Sequence, residues 1–153
     1  MLRLFGSPTS AAACRLAGVA LLADLSLREL KIVGALIHER RYLAGEVIFD
    51  EGDEGQAIYI LLDGTVTICR QGQADRPIAT VEAGNIFGEL ALIDGGPRSA
   101  QARAATDCEL GVMFRGDFLN LIESHAIIAA KISFQLARHY AGILRRQSAG
   151  DKA

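Results

Sequence analysis

The stretch Gly84-Asn85-Ile86-Phe87-Gly88-Glu89-Leu90-Ala91-Leu92-Ile93-Asp94-Gly95-Gly96-Pro97-Arg98-Ser99-Ala100 carries chemistry that a scaffold does not need. Glycines, one acid and one arginine interrupt an apolar run there, an arrangement that suits a phosphate. If Glu89 to Leu92 form a single helical turn, its free N–H groups point at whatever sits beside Gly88, and the helix dipole favours an anion at that place. Gly88 would let a ligand approach the backbone closely. Arg98 returns after the tight Gly95-Gly96-Pro97 turn and can meet the same anion through its planar fork, with Ser99 adding a hydroxyl donor. A carboxylate facing a phosphate is repelled by it, so the natural partner of Glu89 is a hydroxyl, and sugar hydroxyls beside a phosphate supply one. The combination describes a ribose phosphate. The same Glu89 and Arg98 also fit an ion pair bracing a loop, and the residues alone leave both readings open.

Other chemistry is thinly represented. Cys14, Cys69 and Cys108 lie far apart with no CxxC pair, which reads as buried thiols in a reducing cytosol. A transition-metal centre needs clustered histidines and a carboxylate. His38, His125 and His139 are not at ligand spacing and lie on no expected strand, so each reads as a surface or helix residue. No lysine follows a Walker-type glycine loop, no GxSxG elbow exists, and no histidine pairs with a cysteine in a recognisable local pattern. Arg98 and Ser99 can bind a phosphate but have no evident activator for its hydrolysis. The expectation is a binding module rather than an enzyme, without metal or cofactor. The acidic turn from Asp50 to Gly55 lacks the ligand alternation and terminal glutamate of a calcium loop and reads as a solvated turn.

Stepping along the chain, the apolar period changes twice. From Leu16 to Arg41 it is helical, through Leu22, Leu25, Leu30, Val33, Leu36 and Ile37. Ser26 followed three residues later by Glu29 forms a capping-box pattern that starts a helix at Leu27. From Gly45 to Met113 short apolar runs separated by glycine and acidic turns replace it: Val47 to Phe49, Ala57 to Leu62, Thr65 to Cys69, Ile78 to Val81, and Leu110 to Phe114. Such strands predict an antiparallel sandwich or barrel, with Asp63-Gly64 as a hairpin turn. Helical spacing returns after Gly116, first in Phe118, Leu119 and Ile122. A longer helix from Ala126 then carries Ile128, Ile132, Leu136, Tyr140 and Ile143 or Leu144 on one face. A second line, Ile127, Phe134, Ala137 and Ala141, exceeds what docking on a small barrel requires and points to a partner helix, as in a homodimer.

Composition bounds the rest. The 153 residues are 50% hydrophobic and 22% charged with a net charge of -2, enough for one domain with a full core and too little for a second large one. Near-balanced charge and the absence of tryptophan argue against a basic, base-stacking nucleic-acid surface. The apolar run Leu16 to Ala23 is closed by Asp24, too short for a membrane span, and no targeting signal is read, which leaves a cytoplasmic location.

The run Phe87-Gly88-Glu89-Leu90-Ala91-Leu92 followed by Pro97-Arg98-Ser99-Ala100 resembles the phosphate-binding cassette of cyclic nucleotide-binding domains. Upstream, Gly45-Glu46-Val47-Ile48-Phe49, Glu51-Gly52-Asp53, Ala57-Ile58-Tyr59-Ile60-Leu61 and Gly64 are similar to that family's first strands and turns. The resemblance implies a mainly β fold with flanking helices, a β-roll of jelly-roll type with N-terminal helices and a long C-terminal helix. Its division of the chain is a flexible segment 1–15, the domain over 16–147 (β-roll about 45–115, helices about 116–147) and a frayed tail 148–153. It also implies cyclic AMP or cyclic GMP as ligand, with cyclic AMP favoured. Glu89 would hold the ribose 2′-hydroxyl and Arg98 the exocyclic phosphate oxygens. Phe87, Gly88, Leu90, Ala91, Ser99 and Ala100 would complete the cassette, and Ile68, Ile78 and Ala79 would wall the base pocket. The family's terminal helix usually closes over the base. The threonine and serine that touch adenine in its transcription-factor branch fall here at Ile143 and Leu144, so the lid candidates are Tyr140, Ile143, Arg145 and Arg146, an arginine stacking on the purine. Against that stands the simpler use of Arg145 and Arg146 as a basic helix end. Because only Ser148 to Ala153 follow the long helix, no direct nucleic-acid binding is expected, and the signal would pass by helix movement to an unidentified protein effector. The alternative is an interaction scaffold of the same fold that binds no cyclic mononucleotide, or one that binds cyclic di-GMP.

Overall fold

A computed structural model describes residues 13–150. A short 3-10 turn, Ala20–Leu22, precedes helix α1, Leu27–Gly34. The start of α1 follows from two reciprocal bonds: the Glu29 N–H donates to Ser26 Oγ at 3.2 Å, and the Ser26 N–H donates to Glu29 Oε1 at 2.9 Å. The helical period expected to run to Arg41 stops at Gly34. Leu36 and Ile37 pack against the core from a turn, and His38–Tyr42 forms strand β1. The chain is extended there because β1 lies at a sheet edge, its side chains mostly exposed, with its backbone paired in register from His38 opposite Val112 to Tyr42 opposite Cys108. That pairing is with a distant segment, which local periodicity does not report.

Seven further strands follow: β2 Val47–Phe49, β3 Ala57–Asp63, β4 Thr65–Cys69, β5 Ala79–Glu82, β6 Ile86–Phe87, β7 Gln101–Ala104 and β8 Cys108–Phe114. They form two four-stranded antiparallel sheets, ordered β1-β8-β3-β6 and β2-β7-β4-β5. Ile48, Leu61, Val66, Phe87, Ala102, Ala104, Cys108 and Leu110 fill the space between the sheets. On the outer face of the first sheet, Ile58, Ile60 and Met113 meet the helices. Strand β3 is therefore covered on both sides, which is why it reads as an unbroken apolar run. The one-residue turn after it requires glycine: Gly64 has φ +95°, and a Cβ there would lie 2.4 Å from the Asp107 carbonyl.

Helix α2 (Leu90–Asp94), α3 (Arg115–Ser124) and α4 (Ala126–Gly150) complete the fold. Ile128, Ala129, Ile132 and Leu136 of α4 are buried among Leu22, Leu30, Phe118 and Leu121. Lys131 Nζ sits 2.7 Å from Glu29 Oε1, and the Gln135 amide donates to Asp24, so α4 is tied to the N-terminal elements by polar contacts too. Ala13, in the segment expected to be flexible, is buried, and α4 continues through Ser148 to Gly150, in the segment expected to be frayed; Cys14 is exposed rather than buried, whereas Cys69 and Cys108 are buried as expected. The rest of the expected flexible segment, 1–12, and of the tail, 151–153, lies outside the described residues.

Candidate functional site

Strand β6 ends at Phe87, and Gly88, with a φ of +72°, turns the chain into α2 with Glu89 as the helical N-cap. Helix α2 stops after one turn because Gly95 takes the left-handed conformation, φ 67°, and returns its N–H to the Ala91 carbonyl at 3.0 Å. The chain then runs back beside the acidic turn. The Arg98 N–H donates to the Asp53 carbonyl and the Gly52 N–H to the Arg98 carbonyl, both at 2.8 Å. The acidic turn, expected only to be solvated, thus serves as a backbone clamp on Arg98.

Arg98 is 7% exposed. Its Nη1 donates to the Gly88 carbonyl at 3.0 Å and its Nη2 to the Ala57 carbonyl at 2.8 Å, while the guanidinium lies 4.2 Å from the centre of the Phe49 ring. Among the described residues no carboxylate lies in ion-pair contact with it, and its Nε is buried without a hydrogen-bond partner. Burial pushes the Arg98 guanidinium down from its ordinary pKa, while Tyr59, Asp53 and Glu89 act in the opposite sense. The guanidinium stays charged, as arginine does in proteins. Gly88 and Arg98 are matched in shape: a Cβ on Gly88 would lie 2.6 Å from Arg98 Nη1.

The ion pair between Glu89 and Arg98, one of the two readings of the sequence, is not formed. Glu89 turns instead toward α4, where its Oε1 lies 3.4 Å from His139 Nε2. Beside it the Tyr140 hydroxyl is buried without a hydrogen-bond partner, and its phenol is pushed well above the ordinary range by burial first and by Glu89 second.

Arg98, Gly88, Glu89 and His139 border one cavity of about 640 Å³ between the second sheet, α2 and α4. Phe87, Gly88, Glu89, Leu90, Ala91, Arg98, Ser99 and Ala100 all line it, as do Ile68, Ile78 and Ala79. Ile78 sits one residue before β5 rather than inside it, its N–H bonded to the Ile68 carbonyl. Of the lid candidates, Ile143 and Arg146 line the cavity and Tyr140 and Arg145 do not; Arg145 groups with Leu144, Ser148 and Ala149 on another face. Sequence reasoning missed His139 and Gln147 on α4, Phe49 and Thr80 on the strands, and Asn85 just before β6. Helical spacing holds the signal for the first two, since 139, 143, 146 and 147 recur at intervals of three and four. His38, expected off the strands, lies on β1, with its ring 5.3 Å from Phe114.

The decisive comparison is by sequence profile: residues 39–125 match the cyclic nucleotide-binding domain family. This chain belongs to that family. The chain is 37% identical over 123 residues to the Cyclic AMP receptor protein of Thermus thermophilus, covering 79% of this chain and 57% of that one. It is 35% identical to the cAMP-dependent protein kinase regulatory subunit of Emericella nidulans, covering 68% of this chain and 25% of that one. The chain therefore spans about half the length of the receptor and a quarter of the kinase subunit. Among solved structures, Thermus thermophilus Catabolite Activator Protein superimposes with a TM-score of 0.72 at 33% identity, over 86% of this chain and 63% of that one. The N-terminal domain of a transcriptional regulator from Streptomyces coelicolor gives 0.73 at 27% identity, over 84% and 94%. The mainly antiparallel jelly-roll fold with its long C-terminal helix is shared with these neighbours. By name, these two relatives are a receptor and a kinase regulatory subunit. Among the described residues no group of three or more His, Cys, Asp or Glu could hold a metal ion, and no helix is long and apolar enough to cross a membrane.

Proposed function

We propose that this domain binds a cyclic mononucleotide, cyclic AMP in preference to cyclic GMP, as a non-enzymatic regulatory module in the cytoplasm. The observation that carries the reading is Arg98, a buried guanidinium with no carboxylate partner, bordering a cavity of about 640 Å³. A buried cation without a counter-ion is costly unless an anion reaches it. A cyclic phosphate at the mouth of the Gly88 turn would meet Arg98, the first N–H groups of α2 and the Ser99 hydroxyl. The ribose 2′-hydroxyl would then fall to Glu89, with Phe87, Leu90, Ala91 and Ala100 completing the cassette. The purine would lie against Ile68, Ile78 and Ala79, and Ile143 and Arg146 are the lid residues that border this space. The adenine preference is supported by the Thermus and Emericella relatives, both named for cyclic AMP.

Signalling would proceed as a population shift. A ligand that binds more tightly when α4 lies over the cavity stabilises that arrangement by its differential affinity, and the moved helix reports it to a protein effector or to a second copy of the chain. Calorimetry with cyclic AMP tests the assignment: Arg98→Ala is expected to weaken binding by about 2–5 kcal/mol, because the phosphate charge loses its buried partner. Affinity near wild type in that variant would sink the cassette reading. A thermal-shift panel with cyclic AMP, cyclic GMP and cyclic di-GMP separates the ligands, and no shift with any of them would favour an interaction scaffold.

A further inference from the structure

We infer that His139 is a positioning residue for Glu89, and that nucleotide binding is therefore coupled to proton uptake by its imidazole. The inference rests on the function proposed above and names the regulation of that same site. Its observations are geometric. Glu89 Oε1 lies 3.4 Å from His139 Nε2, both residues line the ligand cavity, and their side chains are 17% and 39% exposed. Among the described residues no other cation is ion-paired with the Glu89 carboxylate, and the buried Tyr140 hydroxyl lies beside it. A carboxylate has two oxygens that accept hydrogen bonds. The His139 imidazole lies against one of them, and Glu89 borders the cavity where a sugar hydroxyl is to be bound.

The sign follows from charge. A protonated His139 fixes Glu89 and adds a positive charge to the wall of a site for an anion; a neutral imidazole does the first weakly and the second not at all. Other charged groups stand around His139. Arg138 and Asp24 border the adjoining cavity that His139 also lines, Asp24 being bonded to Gln135. Arg98, Arg146 and Glu82 border the ligand cavity. A cyclic phosphodiester carries one negative charge throughout. Imidazole is the group whose ordinary charge change falls between about pH 5 and about pH 8. Binding should then tighten as pH falls across that interval, with the protein taking up a proton at its upper end.

The test is calorimetry of the whole chain with cyclic AMP from about pH 8 down to about pH 5.5, in two buffers of different ionisation enthalpy to count protons. Because the pair is part-exposed, wild type is expected to bind about two- to fivefold more tightly at the low end. His139→Gln is expected to bind with flat pH dependence near the weak limit, and His139→Arg with flat dependence near the tight limit, since a permanent cation restores the contact. A wild-type affinity that ignores pH, or a slope that survives in His139→Gln, would overturn the inference while leaving the nucleotide assignment standing. If wild type binds no cyclic AMP at any pH, the proposed function fails and this inference fails with it.

Discussion

Arg98 is fixed before any ligand arrives. The Gly88 and Ala57 carbonyls hold its two terminal nitrogens and Phe49 supports its plane, so little side-chain freedom is left to lose on binding. Lysine would keep the charge and lose the fork, so Arg98→Lys is expected to bind cyclic AMP between wild type and Arg98→Ala by calorimetry. Gly88 is the complementary half of this arrangement. Its φ of +72° is strained for any L side chain, and a Cβ would lie 2.6 Å from Arg98 Nη1. Gly88→Ala is accordingly expected to cost about 1–2 kcal/mol of stability in thermal melts and to weaken nucleotide binding through displacement of Arg98, even though alanine adds no charge. At this scale the sequence singled out Glu89 and Arg98 and left their pairing open. Glu89 and Arg98 are close enough in the chain to suggest an ion pair, and only the direction in which the Gly88 turn sends Glu89 decides against it.

Between elements, the junction of α1 and α4 is sensitive to acid. Glu29 serves both the Ser26 cap and Lys131, and these contacts, the Lys131 bond first, lower its pKa from 4.5 to about 2. A carboxylate whose folded pKa is depressed stabilises the fold above its unfolded value and loses that contribution as pH falls through the folded one. Melting temperature is therefore expected to fall between about pH 4.5 and about pH 2 partly through this residue, and Glu29→Gln or Lys131→Met should flatten the curve over that interval. The apolar side of the same junction is stronger. Ile132 is completely buried in α4, and Ile132→Ala is expected to cost about 2–5 kcal/mol in chemical denaturation. Elements whose own sequence supplies their reason for forming were legible: α1 from its capping box, β3 and β4 around the Gly64 turn, α4 from its apolar spacing. Strands β1, β6 and β7 were not. His38 to Tyr42 is mostly polar, Ile86–Phe87 is only two residues long, and Gln101–Ala104 is built of small and polar side chains. Each is extended because a distant strand pairs with it.

Across the whole molecule, α4 buries one apolar line and leaves the other in water. Ile127 is 72% exposed and Phe134 62% exposed, while Ile128, Ile132 and Leu136 are buried. The surplus apolar face supports the proposed self-association, and sedimentation is expected to detect dimers that Phe134→Glu converts to monomers without lowering the melting temperature. Sedimentation as a monomer at all working concentrations would instead assign the face to the protein effector. By itself the sequence determined the family, the glycine turns and the fold class, because these depend on residue types at short separations and on local backbone constraint. The tertiary structure decided which side of α4 is buried, that Arg146 and not Arg145 borders the cavity, and that His139 stands opposite Glu89. Those outcomes depend on the rotation of one helix about its axis and on the pairing of distant strands, and chain spacing alone specifies neither.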